Sequence, residues 1–482
     1  MSGRVAGIVV VTLTMLTSVA GRARPDDPGS DLFTFDVGDD IETFDSANFR
    51  VHFTRAGTHA VPLADVDDNG VPDHVEALLA IYETAHDHYL AMGFRVPVSD
   101  DGLPDNGGDG RFDVYLVDFA RNADGAYRSE RCAGAICAGY MVQENDFAGY
   151  GYPSVVVANR TVASHELFHA VQAAYDADQG GVVAEGTAVW ASERFDASLR
   201  DLEGFAYGYL DNASTPLDSG RGGPVDSFTY GAGIFFEYLS ERFDDDVVLH
   251  LWEGVADDVD GGADWFEVID DVLVERGSSF VAAFAEFSTW TLFTGDRADP
   301  PRSFENGAQM VERSGTDKTL PVVEAGFTVF TASSRLLQLP TNDADTLRLQ
   351  VVADAAGLDG LFVYALPLAI DGSALDLVDA TAGMTDGIDL DVRAASDLFV
   401  LVGNARQDGG STRPRLCIGS TDDVEACVVA EGEGEGEEEP AGDEPAAGCT
   451  SSRSSVSSST SSSLSSTALA LPAALLPLLA RR

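Results

Sequence analysis

Positive charge is what this sequence has least of. Its 482 residues carry 29 Lys and Arg against 80 Asp and Glu, a formal net charge of −51. That balance excludes a nucleic-acid partner, because phosphates would be repelled. It favours divalent cations, salt-rich surroundings and solubility outside a cell. Histidine is also scarce, at eight, and cysteine scarcer, at five. Long apolar runs are missing too. Residues 5–19 and 468–480 are the most apolar stretches at the two ends, and each is short for a membrane span. What remains is ordinary: 45% hydrophobic residues supply a sizeable core, and the length suggests two or more domains.

The first 20 residues hold Arg4, the apolar run and then Ser18-Val19-Ala20. Small residues at the last and third-last positions fit a cleaved secretory signal over 1–20, with cleavage after Ala23 as a second option. Residues 21–46 are acidic with Gly and Pro, and read as a loose lead-in. In an exported chain the close pairs Cys132/Cys137 and Cys417/Cys427 read as two local disulfides, leaving Cys449 over. A zinc knuckle at Cys132/Cys137 is the competing reading, with an unusual spacing and no second pair nearby.

Two of the few histidines stand in Ser164-His165-Glu166-Leu167-Phe168-His169, followed by Glu185-Gly186-Thr187-Ala188. On a helix, positions four apart share a face, so His165 and His169 can hold one zinc ion. Glu166 stands beside them as general base for a water whose pKa zinc lowers to about 7. Glu185 completes a His₂Glu set and leaves one position open. With so few histidines, a chance HExxH arises on the order of once in a hundred such chains. The competing reading is an amphipathic helix whose histidines merely pack. Val155-Val156-Val157 reads as a buried strand ahead of this helix, and 185–195 as a second helix. Asp176 and Glu193 are candidates to receive the other N–H of a zinc-binding imidazole.

A second signal is Asp65-Val66-Asp67-Asp68-Asn69-Gly70-Val71-Pro72-Asp73-His74-Val75-Glu76. Asp65, Asp67, Asn69, Asp73 and Glu76 fall at the oxygen positions of an EF-hand calcium loop, Val71 offers its carbonyl, and Gly70 sits at the turn. A helix follows over 75–92 and a strand precedes at 49–54, so it is half an EF-hand, or else a solvated acidic turn. Asp105, Asp109 and Asp113 repeat the flavour without a bidentate Glu. They read equally well as a second calcium loop or as an acidic turn into a strand at 112–117. His86 and His88 are two apart and point away from each other.

HELFH with AEGTA resembles the gluzincin class of zinc metallopeptidases, whose third ligand often sits in an EGxA helix. The stretches FRVHFT (49–54), DVDDNGVPDHVE (65–76), DGRFDVYLVD (109–118), HELFHAVQAAYD (165–176) and YGAGIFFEYLSERF (230–243) resemble a family of secreted metalloproteases frequent in myxobacteria. The resemblance covers somewhat under half of the chain. It implies zinc peptidase chemistry on protein or peptide substrates and a gluzincin-like catalytic domain. It also implies that Tyr230 donates a hydrogen bond to the oxyanion, where the bland reading is a core tyrosine.

The expected class is therefore α+β, with the catalytic domain over 47–300 and closing helices in 245–295. Short apolar runs at 320–330, 347–352, 361–366, 388–392 and 398–402 predict a small all-β sandwich over 319–429. An acidic and Ser-rich linker occupies 430–466 and a tail 467–482. The order Cys449, apolar stretch, Arg481-Arg482 resembles the C-terminal sorting signals of myxobacterial surface proteins, although the long serine tract departs from their compact form. The expectation is a zinc peptidase stabilised by calcium, secreted or anchored at the cell surface. The alternative is a calcium-dependent adhesion or scaffold protein with a structural zinc site.

Overall fold

The computed structural model describes residues 24–26, 33–219, 225–256, 263–408 and 410–429. The expected signal segment, the 430–466 linker, Cys449 and the 467–482 tail lie outside the described residues.

The first layer is a mixed sheet of β1 (Ile41–Asp45), β2 (Phe49–Thr54), β3 (Phe112–Val117), β4 (Gly125–Ala133) and β5 (Ile136–Glu144), in the order β1-β2-β3-β5-β4. Its inner pairs are parallel and its outer pairs antiparallel. On one face, Val51, Phe53 and Val114 meet α1 (Asp73–Ala91) and α2 (Val155–Gln172) in one apolar cluster. On the other, Tyr115, Val117, Tyr140 and Val142 pack with Phe35, and Phe33 closes the edge. Parallel strands covered on both faces lose their alternation, which is why His52 and Thr54 are buried beside Val51 and Phe53.

Two expectations need correction here. The segment 21–46 is no loose lead-in where it is described. It supplies Phe35 to the core, β1 to the sheet edge and the buried Arg24. Nor is Val155-Val156-Val157 a strand. Ser154 caps α2 by accepting from the Val157 N–H, and the valines form its first turn, with Val155 and Val156 exposed. The cap outweighs the β preference of three branched residues.

Helices follow: α3 (Gly181–Phe195), α4 (Asp201–Leu210), α5 (Ser227–Gly231), α6 (Gly233–Arg242), α7 (Val247–Ala256), α8 (Trp265–Glu275) and α9 (Phe280–Trp290). Gly186 explains one letter of AEGTA. A Cβ there would stand 2.7 Å from the Phe236 ring, so α3 and α6 cross this closely only over glycine.

The last layers are β6 (Thr316–Asp317), β7 (Val322–Glu324), β8 (Ser333–Pro340), β9 (Thr346–Val352), α10 (Ala355–Leu358), β10 (Leu361–Leu368), β11 (Val378–Asp379), β12 (Ile388–Asp391), β13 (Asp397–Asn404), β14 (Arg415–Gly419) and α11 (Thr421–Val429). They form two sheets, β11-β10-β13-β8-β6 and β12-β9-β14-β7. The chain is thus a mixed α+β protein with several sheets. Residues 320–330 yield only the short β7, while β8 and β14 fall outside the runs read from the sequence. Along β13, Leu398, Val400 and Val402 face the second sheet, whereas Phe399 and Leu401 join the cluster that fills the helical part. Phe284 of α9 meets Phe362 of β10 at 6.2 Å between ring centroids. Helices and β layers share an apolar interior because this sheet is buried on both faces.

Both expected disulfides are made. Cys132 and Cys137 face each other across the β4–β5 hairpin, with Cα atoms 4.0 Å apart. Cys417 of β14 joins Cys427 of α11 at 6.0 Å.

Candidate metal centre

The register of α2 sets the site. Counted from its Ser154 cap, His165 and His169 fall one turn apart and turn together toward α3. Glu185 comes from the early turns of α3 and is wholly buried. Its Oε2 lies 3.2 Å from His165 Nε2 and 3.5 Å from His169 Nε2. One ligand atom from each residue thus converges within a 4.8 Å spread.

Gln172 decides which nitrogen of His169 faces this centre. Its amide nitrogen donates to the Ala184 carbonyl at 2.7 Å and the Thr187 hydroxyl at 2.9 Å. Its oxygen is left facing His169 Nδ1 at 2.8 Å, so Nδ1 carries a hydrogen and Nε2 turns inward. That Nε2 is buried and makes no hydrogen bond. A buried carboxylate between two imidazoles calls for positive charge. Burial pulls His165 down; burial also opposes protonation of His169, but the Glu185 carboxylate pushes it up to about 9. Against burial, the charge of His169 and a hydrogen bond with His165 hold Glu185 below the usual carboxylate range. Two nitrogens and one carboxylate oxygen, one nitrogen orphaned, fit a divalent ion with the preferences of zinc.

The expected carboxylate partners of the histidines do not take that role. Asp176 accepts from the Asp178 N–H and from the Gln179 side chain. Glu193 stands among Glu203, Glu237 and Arg194; burial and the two carboxylates raise it to about 8. Gln172 does the orienting instead. Its spacing of three from His169 was the available signal, since such residues share a helix face.

Glu166 leaves the same helix toward the sheet edge. Its Oε2 accepts from the Tyr127 N–H of β4 at 2.9 Å. A Cβ on Gly125 would stand 2.5 Å from Val162 and 3.1 Å from Glu166 Cγ, so glycine lets β4 approach α2 here. Burial raises Glu166 to about 8, partly offset by His169 and the Tyr127 N–H. Tyr230 sits in α5, a short helix fixed by a capping box between Asp226 and Thr229. Its ring stacks on Phe205 at 4.8 Å and lies 5.7 Å from the His165 ring. It is buried, yet with His165 and Glu166 it lines a small, narrow cleft. Asp124, Asp201 and Tyr152 complete that cleft, and no motif or periodicity marked them. Burial raises Asp124 to about 6 against a hydrogen bond from Tyr152. Burial also raises Asp201 to about 7, helped by the charges of Asp124 and Glu203.

In the 65–76 loop, Asp65, Asp67 and Asp73 bring one oxygen each within 4.8 Å. Asn69 ties the loop to α1 by donating to Glu76 Oε1 at 2.7 Å, and its oxygen accepts from the Val71 N–H at 2.8 Å. Gly70 makes the turn at φ 89°. Asp105, Asp109 and Asp113 do not converge. Asp109 pairs with Arg50 and Arg111, and Asp113 with Arg24 and His52. That removes the second calcium reading.

A further group, Asp36, Asp39 and His59, also converges. There His59 Nδ1 accepts from the Asp118 N–H at 3.0 Å, so Nε2 carries the hydrogen and faces Asp36 as a donor, not a ligand.

No protein-family model matches the chain, and no curated protein matches it. Among solved structures it is similar to PliG of Aeromonas hydrophila, a periplasmic lysozyme inhibitor of g-type lysozyme, with 13% identity and a TM-score of 0.15; the match covers 22% of this chain and 98% of that one. It is also similar to aminopeptidase A of Legionella pneumophila, solved in complex with aspartic acid, with 12% identity and a TM-score of 0.31. That match covers 78% of this chain but only 36% of the aminopeptidase chain.

Proposed function

We propose that this chain is a zinc-dependent peptidase of the gluzincin kind, exported and stabilised by calcium. One observation carries the reading: His165, His169 and Glu185 converge, with His169 Nε2 turned inward and orphaned, and His165 shares one cleft with Glu166 and Tyr230. Zinc, when bound, supplies a Lewis acid for a peptide carbonyl and lowers the pKa of water to about 7. Glu166 takes a proton from the attacking water and passes it toward the leaving nitrogen; the Tyr127 N–H fixes one of its oxygens, leaving the other for this work. Tyr230 offers its hydroxyl hydrogen to the oxygen that gains charge.

The acidic surface, the signal-type segment at 1–20 and the two disulfides support action outside the cytoplasm, on protein or peptide and not on nucleic acid. The sorting-type tail at 467–482 supports attachment at the cell surface.

The test is digestion of an unfolded protein by the zinc-loaded chain, with and without a zinc chelator. Cleavage that stops on chelation and returns with zinc is expected. Intact substrate beside a zinc-loaded, folded chain would end the reading. Within it, Tyr230→Phe should lower kcat by about 10²- to 10³-fold with KM little changed, because the lost hydrogen bond forms chiefly in the transition state. A fall in affinity alone would return Tyr230 to the core.

The 65–76 loop makes a separate prediction. Saturating calcium at about 100 times Kd should add about 2.7 kcal/mol of stability. Selective calcium chelation should therefore lower Tm, and Asp67→Ala should abolish that sensitivity. Identical melting with and without calcium in both proteins would remove the calcium site.

A further inference from the structure

Two carboxylates in the cleft have no part in the hydrolytic reading: Asp124, just ahead of β4, and Asp201, the first residue of α4. Asp124 is only 2% exposed. The Tyr152 hydroxyl donates to its Oδ2 at 2.5 Å, while Oδ1 is buried with no hydrogen-bond partner. The charges felt by Asp201 are those of Asp124 and Glu203, both acidic. Among the described residues no Lys or Arg lines the cleft, whose walls include Val162 and Phe205.

Two carboxylates against apolar walls lose hydration and repel each other, and a bound cation relieves both costs. A metal ion fits poorly. Asp124, Glu166 and Asp201 do not bring their oxygens within the 4.8 Å spread reached at the histidine site and in the 65–73 loop. An ammonium or guanidinium group carries several N–H donors and can bridge carboxylates set farther apart.

We propose that Asp124 and Asp201 form a subsite for a cationic nitrogen of the peptide substrate, beside the carbonyl that Glu166 and Tyr230 address. This rests on the peptidase reading above and gives it a substrate class. The cation has two sources. A free α-amine would make the enzyme an aminopeptidase, and a Lys or Arg side chain would make it an endopeptidase selective for basic residues.

The experiment is calorimetric titration of the full, zinc-loaded chain carrying Glu166→Gln, so that peptides bind without turnover. Three peptides of equal length are compared: one with a free amine and apolar side chains, one acetylated with a single lysine, and one acetylated and neutral. One cationic peptide should bind at least about 10-fold more tightly than the neutral one. The gap should close in Asp124→Asn and in Asp201→Asn. Asp201 is partly exposed at a helix start, so its variant serves if Asp124→Asn fails to fold. Preference for the free amine identifies the α-amine, and preference for the lysyl peptide identifies the side chain. Equal binding of all three, or a gap that survives both substitutions, overturns the subsite. Cleavage by the unsubstituted chain is measured alongside. Cation-dependent binding without any cleavage upholds the subsite and ends the peptidase reading; cleavage without cation preference does the reverse.

Discussion

Glu166→Gln should leave zinc content and folding unchanged and lower peptide hydrolysis by about 10²- to 10⁴-fold, the usual contribution of a general base. The substitution keeps size and shape. The glutamine oxygen can still accept from the Tyr127 N–H that now holds Oε2 at 2.9 Å. The other arm becomes an NH₂ group, which cannot take a proton from water. Gly125 keeps the space at this point, so the amide fits where the carboxylate does. The measurement is kcat on an unfolded protein, with both forms matched for zinc by elemental analysis and for Tm. A structural zinc site needs no carboxylate at residue 166. Equal activity in the two forms would therefore sink the mechanism.

Arg24→Met should cost about 3–5 kcal/mol of folding stability, the range for removing one partner from a buried ion pair. Arg24 is 3% exposed and reaches across the sheet face to three carboxylates. Its Nε and Nη2 meet Glu130 at 2.9 and 2.7 Å, Nη1 also meets Tyr115 at 3.2 Å, and both terminal nitrogens form ion pairs with Asp100 and Asp113. Burial would pull the guanidinium down, but Glu130, Tyr115 and Asp113 hold it above even its ordinary value. Taking it away leaves Asp100, Asp113 and Glu130 close together without their common cation. His52 still meets Asp113 Oδ1 at 2.7 Å, but it is hydrogen-bonded to neither Asp100 nor Glu130. A chain begun at residue 25 should show the same loss, so any working fragment has to include Arg24. Both expected cleavage points, after Ala20 and after Ala23, leave it in place. Urea denaturation decides the matter, and a midpoint unchanged by Arg24→Met would refute a stabilising role for Arg24.

The convergence of the three candidate metal ligands was legible in the sequence because they are local. His165 and His169 are related by helix pitch alone, and Glu185 follows on the next helix in chain order. The convergence of Asp65, Asp67 and Asp73 was legible for the same reason, since the loop spans only twelve residues. The strands of the later sheets were partly legible. Those at 347–352, 361–366, 388–392 and 398–402 carry enough apolar residues to show. By contrast, β8 begins with Ser333 and Ser334 and includes Arg335, and nothing local marks it as the partner of β13.

What went unread depends on distant pairings. Gln172 orients His169 only because α3 presents Ala184 and Thr187 to its amide. Asp109 and Asp113 read equally as ion ligands or as an acidic turn, and only the tertiary structure brings Arg50 and Arg24 to them from elsewhere in the chain. Asp124 and Asp201 meet in one cleft across more than seventy residues of sequence. The three valines at 155–157 misled because propensity is a weak local preference and a cap is a specific bond.

By itself, then, the sequence determined the candidate donor set, its helical spacing, the disulfide pairs and the acidic balance of the chain. Each is fixed by residue identity and separation within a few turns. The tertiary structure decided which nitrogen of His169 faces inward, which carboxylates are neutralised by arginine, and which are left facing the cleft. Those outcomes depend on burial and on partners brought together from far apart, and no local pattern contains either.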